Sequence, residues 1–126
     1  WPNDPETPVL FLGEWCRLYS RRERWSIMNA EVLSYHWDDR EKLFNDYQYI
    51  SDIYERTLQA LQKQLNKIHG VDHSLRYWRI LIGPWLGYFL QMVFDRWTTL
   101  KHAFEKHEIS CCLILEKDDD ITQSKY

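Results

Sequence analysis

Leu43, Tyr47, Ile50, Tyr54, Leu58, Leu61, Leu65 and Ile68 follow one another at spacings of three and four. An α-helix turns once in about 3.6 residues, so this run lies on one face and forms a single apolar stripe. The pattern predicts one long amphipathic helix from Asp38 to Ile68. Asp38 and Asp39 suit its N-terminus, Lys67 suits its last turn, and Gly70 suits the position just past its end.

A second helical segment starts near Leu75, with Asp72 or Ser74 able to cap it, and runs to about His107. It meets Gly83-Pro84. Proline inside a helix loses a hydrogen bond and crowds the preceding turn, so a kink or break is expected there. Two short apolar runs flank the helices, Val9–Leu12 within "PVLFLG" and Ile109–Leu115, "ISCCLIL". Neither alternates, as suits strands buried on both faces. The expected order is strand, loop, long helix, kinked helix, strand. This is a helix-rich α/β fold in which the two runs pair in parallel. Residues 1–126 are read as one domain or a domain fragment, since the chain opens on Trp1 and stops on a polar run.

Composition narrows the function. Charged residues make up 28% and apolar residues 44%, which excludes a disordered tail. A formal net charge of −3 argues against a dedicated nucleic-acid binder. The apolar stretch from Ile80 to Phe94 is shorter than the roughly 20 residues a spanning helix needs, and it contains Gly-Pro and Gln91. No transmembrane segment is expected. The start has neither the basic nor the apolar part of a signal peptide. Cys16, Cys111 and Cys112 have no C-x-x-C spacing and read as reduced thiols. A cytoplasmic location follows from these signs.

The densest chemistry lies in "HGVDHSLRYWRILIGPWLGYF", His69 to Phe89. Arg76, Arg79 or Ile80, Gly83, Gly87, Gln91 and Asp95 form a stripe of polar and very small residues on an otherwise apolar helix. The stripe suits either close helix packing or the floor of a cleft with Arg76 and Arg79 at its mouth. A guanidinium fork binds two oxygens of a phosphate or carboxylate at once. His69 and His73 are four apart, but Gly70 stands where a zinc motif needs Glu and ends the helix, so no metal site is expected. His73, in a turn beside two arginines, is a candidate general base, since imidazole titrates near about 6.5. Glu14, Trp15 and Arg17 follow the first strand, where α/β sheets bind ligands. Glu14 is a second candidate base. A salt-bridged loop is the plainer account of that segment. No dinucleotide, Walker A or nucleophile-elbow motif is present, and no cofactor is expected.

The strings "PVLFLGEWCRLYSRRERW", "YHWDDREKLFNDYQYISDIYERTL" and "LNKIHGVDHSLRYWRILIGPWLGYFLQMVFDRW" resemble a leptospiral-type transferase family of O-antigen and other surface-polysaccharide gene clusters. The matching motif residues include Glu14, Trp15, Arg17, His69, His73, Arg76, Arg79, Gly83, Pro84 and Gly87. Family members are several times longer and are distantly similar to two-domain B-type glycosyltransferases. The resemblance implies the N-terminal, acceptor-side portion of a sugar transferase, inactive alone. Its substrate would be a sugar or phosphosugar, with a nucleotide-sugar donor held by the remaining C-terminal part. The catalytic candidates are then His73 and Glu14, and the substrate-binding candidates are Arg17, Arg76, Arg79 and Trp15. The alternative is a non-catalytic helical interaction module that uses the Asp38–Ile68 stripe to hold a partner helix.

Overall fold

The computed structural model describes residues 6–112. They fall into two compact units. Ser34–His102 forms one, and the described residues on either side of it form the other. The fold is helix-rich with a small parallel sheet, a mixed α/β arrangement.

The flanking unit is built on two short strands. β1, Val9–Phe11, pairs in parallel with β2, Ala30–Val32, in the register Val9 with Ala30, Leu10 with Glu31 and Phe11 with Val32. Leu33 N–H donates to the Phe11 carbonyl at 2.8 Å, which extends the pairing and buries Phe11 and Leu33 together. Two short 3-10 turns, Glu14–Cys16 and Tyr19–Arg21, and the one-turn helix α1, Arg22–Trp25, connect the strands. Gly13 ends the first apolar run for a steric reason. The Trp15 ring folds back over it so closely that any Cβ would overlap the ring.

The strand at Val9 is where the apolar run places it, but its partner is a correction. The sequence pairs it with Ile109–Leu115, whereas the observed partner is Ala30–Val32. Ile109–Cys112 forms no strand, and 113–115 lies outside the described residues. A three-residue strand such as β2, with Glu31 exposed between half-buried neighbours, is too short for periodicity to reveal.

The second unit holds two long helices, α2, Arg40–His69, and most of α3, Leu75–Lys106. Asp39 caps α2, accepting from the Glu41 and Lys42 backbone N–H groups at 2.9 and 3.1 Å. Gly70 closes it in the left-handed region at φ 64°, and the Gly70 and Val71 N–H groups both reach the Asn66 carbonyl. It is the one residue in the left-handed region among the described residues. Gly70→Ala should therefore lower stability by about 1–2 kcal/mol, the cost of an L-side chain in that region, measurable by urea melts.

Asn66 also organises the turn that follows. Its side chain accepts from the His73 N–H at 3.2 Å and donates to the His73 carbonyl at 2.9 Å. Gln62 donates to the same carbonyl at 3.1 Å, and Trp78 Nε1–H donates to Asn66 at 2.8 Å. The Ser74 hydroxyl accepts from Tyr77 N–H, capping the first turn of α3. The density of residue types in this stretch thus has a structural use: it fixes a tight reversal between two long helices.

The helices run antiparallel, since Asn66 meets Trp78, Tyr54 meets Gly83 and Tyr49 meets Phe94. Leu58 is wholly buried and Ile50 nearly so at the centre of the stripe, while Leu43, Tyr47 and Ile68 at its ends are exposed. α3 is not broken at Pro84, which lies inside one continuous helix. The preceding residue explains part of this. A proline ring clashes with the Cβ of the residue before it in helical conformation, and Gly83 has none. No helix among the described residues is long and apolar enough to cross a membrane.

Candidate functional site

The small residues predicted on α3 meet an aromatic ring. Tyr54 of α2 lies across Gly83 and Gly87, and a Cβ on Gly83 would stand 2.5 Å from the Tyr54 hydroxyl. At Gly87 the same ring is at an ordinary 3.7 Å. The close approach leaves an open groove of about 880 Å³ along the two helices. Tyr47, Ile50, Ser51, Tyr54 and Glu55 line it from α2, and Arg79, Pro84, Tyr88 and Gln91 from α3. Trp37 adds a further aromatic wall.

The groove contains one pair of full charges. Arg79 donates to both carboxylate oxygens of Glu55, at 2.6 and 2.7 Å, and its guanidinium lies 5.8 Å from the Tyr54 ring centroid. Arg79's hydrogen bond holds the Glu55 carboxyl below its ordinary value, and Glu55 raises Arg79 in turn. Both side chains are nearly half-exposed, so solvent screens the pair. The sign of its pH dependence is nevertheless fixed. A carboxyl with a lowered folded pKa contributes stability that is complete above its unfolded value, and that contribution is lost as pH falls through the folded one. Acid titration of the melting curve should therefore fall less steeply below about pH 4.5 in Glu55→Gln than in the parent.

The Trp37 wall is anchored on both helices. Its Nε1–H donates to Asp46 at 2.9 Å, and its ring stacks on Phe94 with the planes 11° apart. Lys42 pairs with the same Asp46. One residue earlier, His36 is buried with Nε2 3.1 Å from Asp95 Oδ1. A carboxylate can only accept, which assigns the proton to Nε2 in the neutral ring and leaves Nδ1 buried without a partner. Burial, and then Asp95, push the Tyr35 hydroxyl above its ordinary value.

Of the residues singled out in the sequence, Arg79 lines the groove. His73 sits in the α2–α3 turn, half-buried, its ring stacked on Tyr77 at 4.0 Å. Arg76 is exposed on the first turn of α3. Glu14, Trp15 and Arg17 belong to the other unit. There Glu14 and Arg17 pair at 3.4 Å, and the Arg17 guanidinium lies 5.9 and 5.5 Å from the Phe11 and Trp25 rings. His69 is exposed and faces Trp78. No group of metal-ligating side chains occurs among the described residues.

Sequence reasoning missed Glu55, Trp37 and the His36–Asp95 pair. Glu55 reaches Arg79 from another helix, 24 positions away, and no local spacing announces such a partner. The crowding of Tyr35, His36 and Trp37 ahead of two aspartates was the available signal for the others.

A family profile described as "LIC12162 family transferase" matches residues 1–125. The chain belongs to this family. Its family name supports a transferase role. No curated protein and no solved structure gives a significant match. In this LIC12162 family member, the groove along α2 and α3 is a concave surface with converging polar groups.

Proposed function

We propose that the chain is the acceptor-side part of a cytoplasmic glycosyltransferase acting in bacterial surface-polysaccharide assembly, distantly like the B-type enzymes. The observation that carries this reading is the groove itself, where aromatic walls surround a bidentate Glu55–Arg79 pair. Aromatic faces stack against the C–H face of a sugar ring, and a fixed carboxylate and guanidinium accept from and donate to its hydroxyls. The nucleotide-sugar donor would be held largely by a further C-terminal portion of the protein. Arg76, exposed, would meet its phosphates, and His73 would take the acceptor proton; Glu14, in the other unit, is the second candidate base.

Arg79→Lys keeps the charge and loses the fork. It should weaken sugar binding to the transferase by about 1.5–3 kcal/mol, read by calorimetric titration with acceptor glycosides. Unchanged affinity would remove the groove from substrate binding. The alternative, a helical interaction module, relied on the α2 stripe. The centre of that stripe is already buried at Leu58, beside the turn where Tyr54 packs on α3.

A further inference from the structure

We infer that the α2–α3 groove selects an uncharged glycosyl unit and rejects phosphorylated or carboxylated sugars. The inference rests on the proposed sugar site and names the class of sugar it takes. Its basis is the charge distribution. Arg79 and Glu55 are the only full charges among the lining residues, and they cancel. The guanidinium is also geometrically occupied, with two of its N–H groups directed at the two carboxylate oxygens. An anion approaching Arg79 would meet the Glu55 carboxylate at the same place. It would either take the remaining N–H groups, lying against the Glu55 carboxylate, or open the bidentate pair and leave Glu55 without its partner. Such an exchange replaces one charge-assisted contact by another and adds like-charge repulsion.

A neutral sugar faces neither penalty. Arg79 has five N–H donors, and the pair uses two of them, so donors remain beside carboxylate oxygens with free acceptor capacity. A vicinal diol both donates and accepts, and it can bridge such a pair without breaking it. Ser51 and Gln91 supply further neutral donors and acceptors along the groove, and Trp37 and Tyr88 supply ring faces. The rest of the lining is uncharged, so nothing else would compensate a phosphate or a carboxylate.

The test uses the full chain and three probes on one hexose scaffold: the methyl hexoside, the corresponding methyl uronide and the hexose 1-phosphate. NMR titration follows the Arg79 Nε–H and Trp37 Nε1–H resonances. The methyl hexoside should shift both resonances and bind at least tenfold tighter than either anionic probe. Glu55→Gln, which frees the guanidinium, should narrow or reverse that ratio, with the α2–α3 fold checked by circular dichroism. Equal or tighter binding of an anionic probe to the unmodified chain would overturn the inference while leaving a sugar site in place. So would an unchanged ratio in a folded Glu55→Gln variant. Failure of all three probes to shift either resonance would overturn both the inference and the sugar-site reading.

Discussion

Leu58→Ala should lower the unfolding free energy by about 2–5 kcal/mol, the range for truncating a buried leucine when the surroundings close only partly. Leu58 is wholly buried in the middle of the α2 stripe, one turn from the Tyr54 ring that packs on Gly83. Few other side chains share its situation. Ile50 and Leu86 are nearly buried, but Leu43, Tyr47 and Ile68 of the same stripe lie open to solvent. The loss should therefore be concentrated at the centre. Ile68→Ala, at a position 71% exposed, should stay within about 0.5 kcal/mol. Leu61 is half-buried and should fall between them. Urea melts of the three variants check the order, and equal losses at Leu58 and Ile68 would mean that the stripe does not pack as described.

The helices were legible because their signals are long and redundant. α2 has eight apolar positions in phase, an Asp cap and a terminal Gly, and the observed boundaries Arg40–His69 agree with all three. α3 was equally clear in extent. Of the kink or break expected at Pro84, the break does not occur, because Gly83 removes part of the steric conflict that Pro84 creates. The sheet was half legible. Val9–Phe11 is apolar and bounded by Pro8 and Gly13, but β2 contributes only Ala30, Glu31 and Val32, which carry no repeat. The candidate site was legible only where a residue is conspicuous by itself. Arg79 stands out on an apolar helix. Glu55 looks like any solvated helix carboxylate until the antiparallel register brings it within 2.6 Å of Arg79. The stripe of small residues was readable as a close approach, but which ring fills it depends on that same register. Such pairings come from tertiary geometry, which local spacing does not encode.

His73→Gln should lower turnover of the transferase by about 10²-fold or more if the imidazole takes the acceptor proton, the lower end expected for losing a general base. The structure makes this substitution a clean probe. The residue is held through its backbone: its N–H donates to Asn66, and its carbonyl accepts from Asn66 and Gln62. None of these contacts uses the ring. Gln at this position keeps them all and loses the ring's stack on Tyr77 at 4.0 Å and its edge contact with Trp78, whose ring centroid is 6.1 Å away. Stability should then change little, and a fall in kcat with an unchanged melting curve reports the chemistry alone. Asn66→Ala supplies the contrast. It removes the clamp and leaves Trp78 Nε1–H and the His73 N–H without a partner, while the His73 carbonyl keeps only Gln62, so it should cost about 1–3 kcal/mol of stability and disturb the turn as a whole. Full turnover in a folded His73→Gln variant would remove His73 from the reaction. Glu14, exposed in the other unit and paired with Arg17, would then be the residue to test as base, by Glu14→Gln in the same assay.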